Sequence, residues 1–487
     1  MSLGARSAAQ VLSELPPVVA VDVARIREAI ARDGRVVVVL DDDPTGTQTV
    51  ADVPVLTTWS VDDVRWAMRQ VSSVFYILTN SRSLDPADAD RRIREVMKSV
   101  RDASRSEGVE FVVTSRSDST LRGHFPLEPD VIAECVAQFG GSICDGVVIV
   151  PAYVEAGRLT IDSVHYLRTN DSLLPVSESE FARDATFGYS SSDLRDYVQE
   201  KSKGRWMAGD VARITLADLR VVGRARVTAI LEGLTNGRPV VVDAVCDDDL
   251  RLLTLAILDA ESAGKSLIYR VGPSFVRARA GLGVKSPLTS AQIHDIRGRT
   301  EERNQDREAS SHGLIVVGSH VSMSTRQLEG VLQMDDVTSL QVDVVALLGE
   351  RREAMIEATV RTVVSALRTS DVVVGTSREL VLGHDEHESL AIARAISSGL
   401  AEIVRRVVRV ITPGWIVAKG GITSSDVATD GLGIRRAWAR GTLLPGIISL
   451  WEPVSDDGPT TPYVVFAGNV GDERALVGVV QTLRGSV

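Results

Sequence analysis

The sequence predicts an α/β protein of two domains, each a mostly parallel sheet flanked by helices. Three observations carry this expectation. Short runs rich in Val, Ile and Leu recur along the 487 residues and end in Asp, Ser, Thr or Gly, as buried parallel strands do where they deliver polar groups to a sheet's carboxyl edge. Between them lie longer stretches whose apolar residues have helical spacing. One segment, IRGRTEERNQDREASSH at 296–312, holds a single isoleucine amid charge and polarity and reads as an exposed connection. The expected domains are 1–285 and 313–487, joined by a linker over 286–312, because a chain of this length exceeds one ordinary core at roughly 100–200 residues per domain.

Composition narrows the function classes. Hydrophobic residues make up 44%, charged residues 24% and aromatics 4%, the balance of a globular protein with layered packing. A net charge of −11 argues against nucleic acid as a main partner, since phosphate binding needs a basic face. Only 6 of the 54 basic residues are lysines, which makes Lys419, beside a glycine-rich turn, conspicuous. Cys135, Cys144 and Cys246 lack metal-ligand spacing and point to reduced core thiols. Neither a signal-peptide pattern nor a run approaching ~18 apolar residues is found, so the expectation is a cytoplasmic protein with no membrane partner.

The chain opens on a helical lead-in over 1–34, with Val21, Val23, Ile26 and Ile30 near helical spacing and Gly34 as its stop. VVVVLDDDPTGTQTV at 36–50 follows. Its apolar run leads straight into Asp41, Asp42 and Asp43, and Pro44, Thr45 and Gly46 force a turn. Alone, this stretch reads equally as an acidic helix cap, a hydrolase nucleophile or a ligand grip. A strand over 53–57, a helix over 61–71 started by Ser60 and a strand over 74–79 continue the alternation. The last of these runs into Asn80, Ser81 and Arg82.

A helix over 88–100 and a strand over 110–114 lead to SRSDSTLRGH at 115–124. Its Arg116, Asp118 and Arg122 suit a carboxylate and a polyol, or Asp118 and Arg122 merely pair across a loop. The strand over 146–150 empties into PAYVEAGRLTIDSVHY at 151–166, carrying Arg158, Asp162 and His165. Four successive strands thus converge polar groups on one edge; a lone histidine such as His165 is more often structural than catalytic. Residues 167–235 carry little signal beyond polar surface stretches. A strand over 238–245 ending in Cys246 and Asp247 to Asp249, a helix over 250–263 and a strand over 266–271 complete the first domain, which GPSFVRARAGLG from 272 closes.

The second domain reads as a strand over 314–317 ending in GSHVSMSTRQL, a strand over 371–375 followed by Thr376, Ser377 and Arg378, and a helix over 387–410. A strand over 415–418 enters KGGITSSDVA at 419–428, and one over 463–466 ends in AGNVGDERAL at 467–476. Three glycine-bearing turns at strand ends suit phosphates held by backbone N–H groups. None is a Walker loop or a dinucleotide fingerprint.

With these segments assembled, the chain resembles the four-carbon acid sugar kinases, which phosphorylate threonate, erythronate or related acids with ATP. The resemblance is carried, in order, by DDDPTGT, NSRSL, SRSDSTLRG, PAYVEAGRLTIDSVHY, GSHVSMSTRQ, TSREL, KGGITSSD and AGNVGDE. It implies an acid-sugar-binding domain over 1–285, a nucleotide-binding domain over 313–487 and an active site in the interdomain cleft, which closes over both ligands. By motif it implies substrate binding by Asp42, Arg82, Arg116, Arg122 and Arg158, catalysis by Asp43 and Asp118, and nucleotide contacts from Ser319, Gly375, Ser377, Gly420, Gly421, Ile422, Thr423 and Gly468. ATP and Mg²⁺ are the implied cofactors, with the metal's ligands unassigned. The sugar acid and ATP are the expected partners, and a homodimer is the assembly considered. Asp41 adds a third acid to the family's usual first motif, Thr47 replaces a small residue and Arg116 stands where lysine is frequent, which leaves the particular acid open.

Phosphoryl transfer to a hydroxyl needs alignment, charge neutralisation and a base near the attacking oxygen. Arg82, Arg122 or Arg158 is expected to grip the substrate carboxylate, and Asp43 or Asp118 to accept the proton. Asp42 and Asp43 are expected to be the working pair of the first motif, with Asp41 structural. Two other readings remain. In a Mg²⁺-dependent phosphohydrolase, Asp41 would be the nucleophile, Asp43 the acid/base, and Asp247 and Asp248 metal ligands. In a non-catalytic sugar-acid-binding or effector protein, the same arginines would serve binding alone.

Overall fold

The computed structural model describes residues 6–43, 45–303, 308–318, 322–377, 386–455, 460–468 and 470–485. The chain forms two compact units, Met1–Thr49 with Val53–Val284, and Val50–Asp52 with Lys285–Val487.

In the first unit the strands Ala212–Ile214, Arg238–Val242, Gly146–Val150, Leu267–Val271, Phe111–Arg116, Val36–Asp41, Val74–Leu78 and Val53–Leu56 lie side by side in that order, all parallel. Val37, Val38 and Val39 are fully buried, which is why the central strand is apolar without alternation. The helix Pro86–Glu107 begins where the Asp85 carboxylate accepts the Asp88 N–H and ends at Gly108, whose φ is 66°. It packs Ile93, Val96, Met97 and Val100 against Val38, Leu40, Phe75 and Ile77. The helix Val23–Asp33 stops at Gly34 and sets Ile26 and Ile30 on Leu255 and Leu258 of the helix Asp247–Ser262.

Two stretches differ from the expectation. The loop read over 151–166 and the weak region after it hold a small antiparallel sheet in the order Arg6–Ser7, Ser172–Pro175, Val164–Thr169 and Arg158–Ile161. Asp162 and Ser163 make its tight turn with positive φ at both positions, a hairpin geometry that needs no glycine when Asp occupies it. Leu159, Ile161, Tyr166 and Leu173 form its own small core with Val11. Short strands of two to six residues with mixed polarity leave too few periods for the pattern to show.

The segment read as an exposed linker over 286–312 instead contains the helix Ser290–Arg303. Ile293 and Ile296, one turn apart, are buried in the second unit's core beside Trp415 and Leu483. Two apolar residues on one face suffice to dock a helix whose other faces are polar.

In the second unit the order is Arg436–Leu444, Ile448–Val454, Tyr463–Phe466, Ile416–Lys419, Leu314–Val317, Asp371–Thr376 and Val337–Val342. The first two junctions are antiparallel and the rest parallel. Neither the hairpin nor the strand Val337–Val342 was expected. Val317, Lys419 and Phe466 are in register, so the turns that follow these three strands emerge side by side. Among the described residues no helix is long and apolar enough to cross a membrane.

Candidate functional site

Asp41 stands in register with Leu78 on one side and Arg116 on the other, which gathers three motif ends at the carboxyl edge of the first unit's sheet. Backbone bonds tie them: Thr79 N–H donates to Asp41 O at 2.8 Å, Asp42 N–H to Arg116 O at 3.2 Å and Ser117 N–H to Val271 O at 3.0 Å.

The charged side chains form two layers. Asp41, Asp42 and Arg116 make a floor, with side-chain exposures of 0, 1 and 5%. Arg116 Nη1 donates to Asp41 Oδ1 at 2.8 Å and to Asp42 Oδ1 at 3.4 Å. Burial pushes Asp41 up to about 8, with Arg116 opposing it, and Asp42 up to about 6, with Arg82 and Arg116 opposing. A Cβ on Gly46 would fall 1.5 Å from Asp41 Oδ2. The glycine of the first motif is therefore required by close packing on this carboxyl.

Asp43, Arg82, Asp118 and Arg122 make a more accessible rim, with exposures of 13 to 26%. Arg82 Nη2 pairs with Asp43, and its Nη1 lies 3.6 Å from Asp118. Asp118 Oδ2 accepts from Arg122 Nε at 2.6 Å and from Thr120 Oγ1, and Asp43 Oδ1 accepts from the Thr45 N–H and hydroxyl at 2.9 and 2.5 Å. Burial by itself would raise both carboxyls. The Arg82 charge, with Thr45 at one and Arg122 at the other, outweighs it and holds both below the usual range.

Arg158 Nη1 donates to Ala156 O, and its guanidinium is depressed by burial within the field of Asp118 and Arg122. Its Nε, Ser117 Oγ and the Oδ2 atom of Asp42 are buried with no hydrogen-bond partner among the described residues. Such orphaned donors and acceptors fit a polar ligand with hydroxyls and a carboxylate. The structure thus brings together Asp42, Asp43, Arg82, Arg116, Asp118, Arg122 and Arg158, and divides Asp42 from Asp43 by layer.

His165 is a brace. Thr160 Oγ1 donates to its Nδ1 at 2.9 Å and its Nε2–H donates to Ser119 O at 2.8 Å, while burial pushes it down to about 4, so the neutral ring holds the 115–124 loop. Asp162 belongs to the hairpin turn, where its N–H donates to Asp243 at 2.9 Å. Asp247 pairs with Arg277, and Asp248 pairs with Arg251 at 2.8 Å and accepts the Val21 N–H at 3.1 Å. These are the engagements of a helix start. Among the described residues, no three His, Cys, Asp or Glu side chains gather as a metal site.

Glu128 was not anticipated. It accepts from Ser81 Oγ at 2.5 Å and from Ser115 Oγ at 2.9 Å, joining two motif loops through a buried carboxylate. It sits in the first turn of the unanticipated helix Leu127–Gln138, where an acid reads as a favourable helix start. The Tyr153 hydroxyl likewise donates to Gln48 Oε1 at 2.7 Å, joining the fourth loop to the first.

In the second unit Ser319 and Arg378 lie outside the described residues. Gly420 has a φ of +122°, open to glycine alone. A Cβ on Gly318 would fall 2.2 Å from Thr423 Oγ1, whereas one on Gly421 would meet nothing within 4 Å. Ile422 is exposed. Gly375 lies inside a strand, in register with Val317 and Gln341, rather than at a turn. Ser377 N–H donates to Val342 O at 2.9 Å and its hydroxyl accepts the Val344 N–H at 3.4 Å, which makes it a local brace. Gly468 O accepts from Ser324 Oγ at 2.9 Å and from Lys419 Nζ at 3.4 Å. Gln327 Nε2 donates to Val470 O and Asp472 O at 3.1 and 2.6 Å. Close backbone with little side-chain bulk, braced from beneath, suits phosphates.

Fold and sites define a class: a two-part α/β protein with a cluster of paired charges at the sheet edge of one part and glycine-bearing turns at the sheet edge of the other. Residues 37–279 match the sugar-binding N-terminal domain and residues 314–476 the nucleotide-binding C-terminal domain. The chain belongs to the family built from these two domains, the four-carbon acid sugar kinase family. Two solved structures share the fold. A Salmonella typhimurium LT2 protein is 18% identical over 91% of this chain and 98% of its own, with a TM-score of 0.63. Haemophilus influenzae protein HI1011 is 20% identical over 92% and 100%, with a TM-score of 0.61. No curated protein matches the chain.

Proposed function

We propose that the chain is an ATP-dependent kinase that transfers the γ-phosphoryl group to a hydroxyl of a four-carbon or related sugar acid. The observation that carries this reading is the rim, in which Arg82 is held between Asp43 and Asp118 above a buried acidic floor. Arg122 and Arg158 bind the substrate carboxylate. Asp42, with Ser117, orients the hydroxyls through its unpartnered oxygen. Asp43 or Asp118, kept ionised by Arg82, accepts a hydrogen bond from the attacking hydroxyl and takes its proton as the phosphoryl group arrives.

Charge supports an anionic substrate. Burial raises the Asp41 carboxyl and so favours its neutral form, which reduces the negative charge set against the guanidiniums of Arg82, Arg116, Arg122 and Arg158. The turns at 420–423 and 468 cradle ATP. Mg²⁺, when bound with the nucleotide, supplies charge neutralisation on the transferring group.

An ATP-consumption screen across four-carbon sugar acids and their oxo derivatives tests the proposal. ATP loss that depends on one of these acids, with a phosphorylated acid as product, is expected. Phosphate release from a phosphorylated acid without ATP, or acid binding with no turnover of any member, would overturn it.

A further inference from the structure

Lys419 ends the strand Ile416–Lys419 and is completely buried. Its ammonium lies 3.9 Å from the centroid of the Phe466 ring and donates to Ala467 O at 3.2 Å and Gly468 O at 3.4 Å. The third N–H has no acceptor among the described residues. Burial alone pushes the group down to about 7, with no carboxylate drawing it back.

The described titratable groups on the elements around it are engaged elsewhere. The Tyr463 hydroxyl donates to Ser424 O, Asp426 lies in the field of Arg394 and Asp430, and Arg326 pairs with Glu473 at the surface. Leu314–Val317 carries no titratable side chain. A methionine would fill the same space without desolvating a charge. An ammonium that no carboxylate among the described residues offsets, at the ends of the strands Ile416–Lys419 and Tyr463–Phe466, therefore points to an anion that arrives from outside.

We propose that Lys419 is the charge partner of the nucleotide's phosphates, its free N–H taking a phosphate oxygen while the other two hold the 467–468 carbonyls. This rests on the nucleotide reading of the second domain. A bound phosphate restores the lysine's charge, so above the free group's titration, binding draws a proton from solvent onto Nζ. Lysine suits this role as a compact point charge on a phosphate.

The test is calorimetric titration of the full chain with ADP at pH 8, in buffers of different ionisation enthalpy. At that pH the nucleotide's own phosphates, with second ionisations near ~6, take no part. Uptake of about 0.5–0.9 proton per ADP is expected, with affinity falling several-fold per unit from about pH 7.5 to 9. Adenosine should bind with no uptake. Lys419→Met should abolish the uptake, weaken ADP at least about tenfold at pH 7.5 and leave adenosine unchanged.

ADP binding to the unaltered chain without proton uptake, or equal ADP affinity in Lys419→Met, overturns the inference and leaves the nucleotide site standing. Failure of the unaltered chain to bind either ligand overturns the nucleotide reading and the inference with it. Should the variant not fold, the difference between ADP and adenosine in the unaltered chain still decides.

Discussion

In the sugar-binding half, Arg82, Arg116, Arg122 and Arg158 stand among Asp41, Asp42, Asp43 and Asp118, whereas the nucleotide-binding half places one ammonium, Lys419, among carbonyls and a ring. The difference follows the ligands each half is proposed to hold. A sugar acid offers one carboxylate and several hydroxyls, which need donors and acceptors in fixed directions, and paired charges hold one another in place before it arrives. A polyphosphate offers only acceptors, so backbone N–H groups and a single point charge serve, and side chains would crowd it.

Several experiments would break or sharpen this contrast. Asp43→Asn and Asp118→Asn should each lower turnover ~10²–10⁴-fold while ADP affinity stays within about twofold, by steady-state kinetics and calorimetry. Near-normal turnover in both would remove the rim from the chemistry. Arg82→Lys replaces a fork that reaches two carboxylates with a point charge, and a loss of ~10²–10³-fold is expected, again with ADP binding intact. A parallel loss of ADP affinity would show that the two halves are not separable.

Asp41→Asn separates the kinase from a hydrolase. The carboxyl's folded value, about 8, lies above its ordinary value. Its contribution to stability is fully present below about pH 4 and is lost as pH rises through about 8, at up to ~1.4 kcal/mol per unit. Denaturant titrations from pH 4 to 9 should show that fall flattened in the variant. Turnover should survive within about tenfold, whereas a nucleophile at this position demands its complete loss.

Gly420→Ala forces a side chain into a φ of +122° and should destabilise by roughly 1–3 kcal/mol and weaken ADP, with the sugar acid unaffected. Ile422→Ala, at an exposed position of the same turn, should change stability by less than about 0.5 kcal/mol.

Much of the first site was readable because parallel strands place their carboxyl ends at one edge, so Asp41 to Asp43, Arg82, Arg116, Asp118 and Arg122 follow from strand assignment alone. Arg158 was found for a weaker reason, since its loop proved to be the start of a hairpin. The helix at 290–303 was missed because its docking face is only Ile293 and Ile296. Glu128 was missed because an acid at a helix start has an ordinary explanation.

By itself the sequence determined the α/β class, the motif-bearing strand ends and the chemical kinds of residue that meet there, since these depend on local periodicity and turn chemistry. Tertiary structure alone decided depth: that Asp42 lies in the floor and Asp43 on the rim, and that Lys419 has carbonyls rather than an acid for company. Burial and field are sums over neighbours distant in the chain, and it is these sums that set which of several identical side chains is charged, open and able to act.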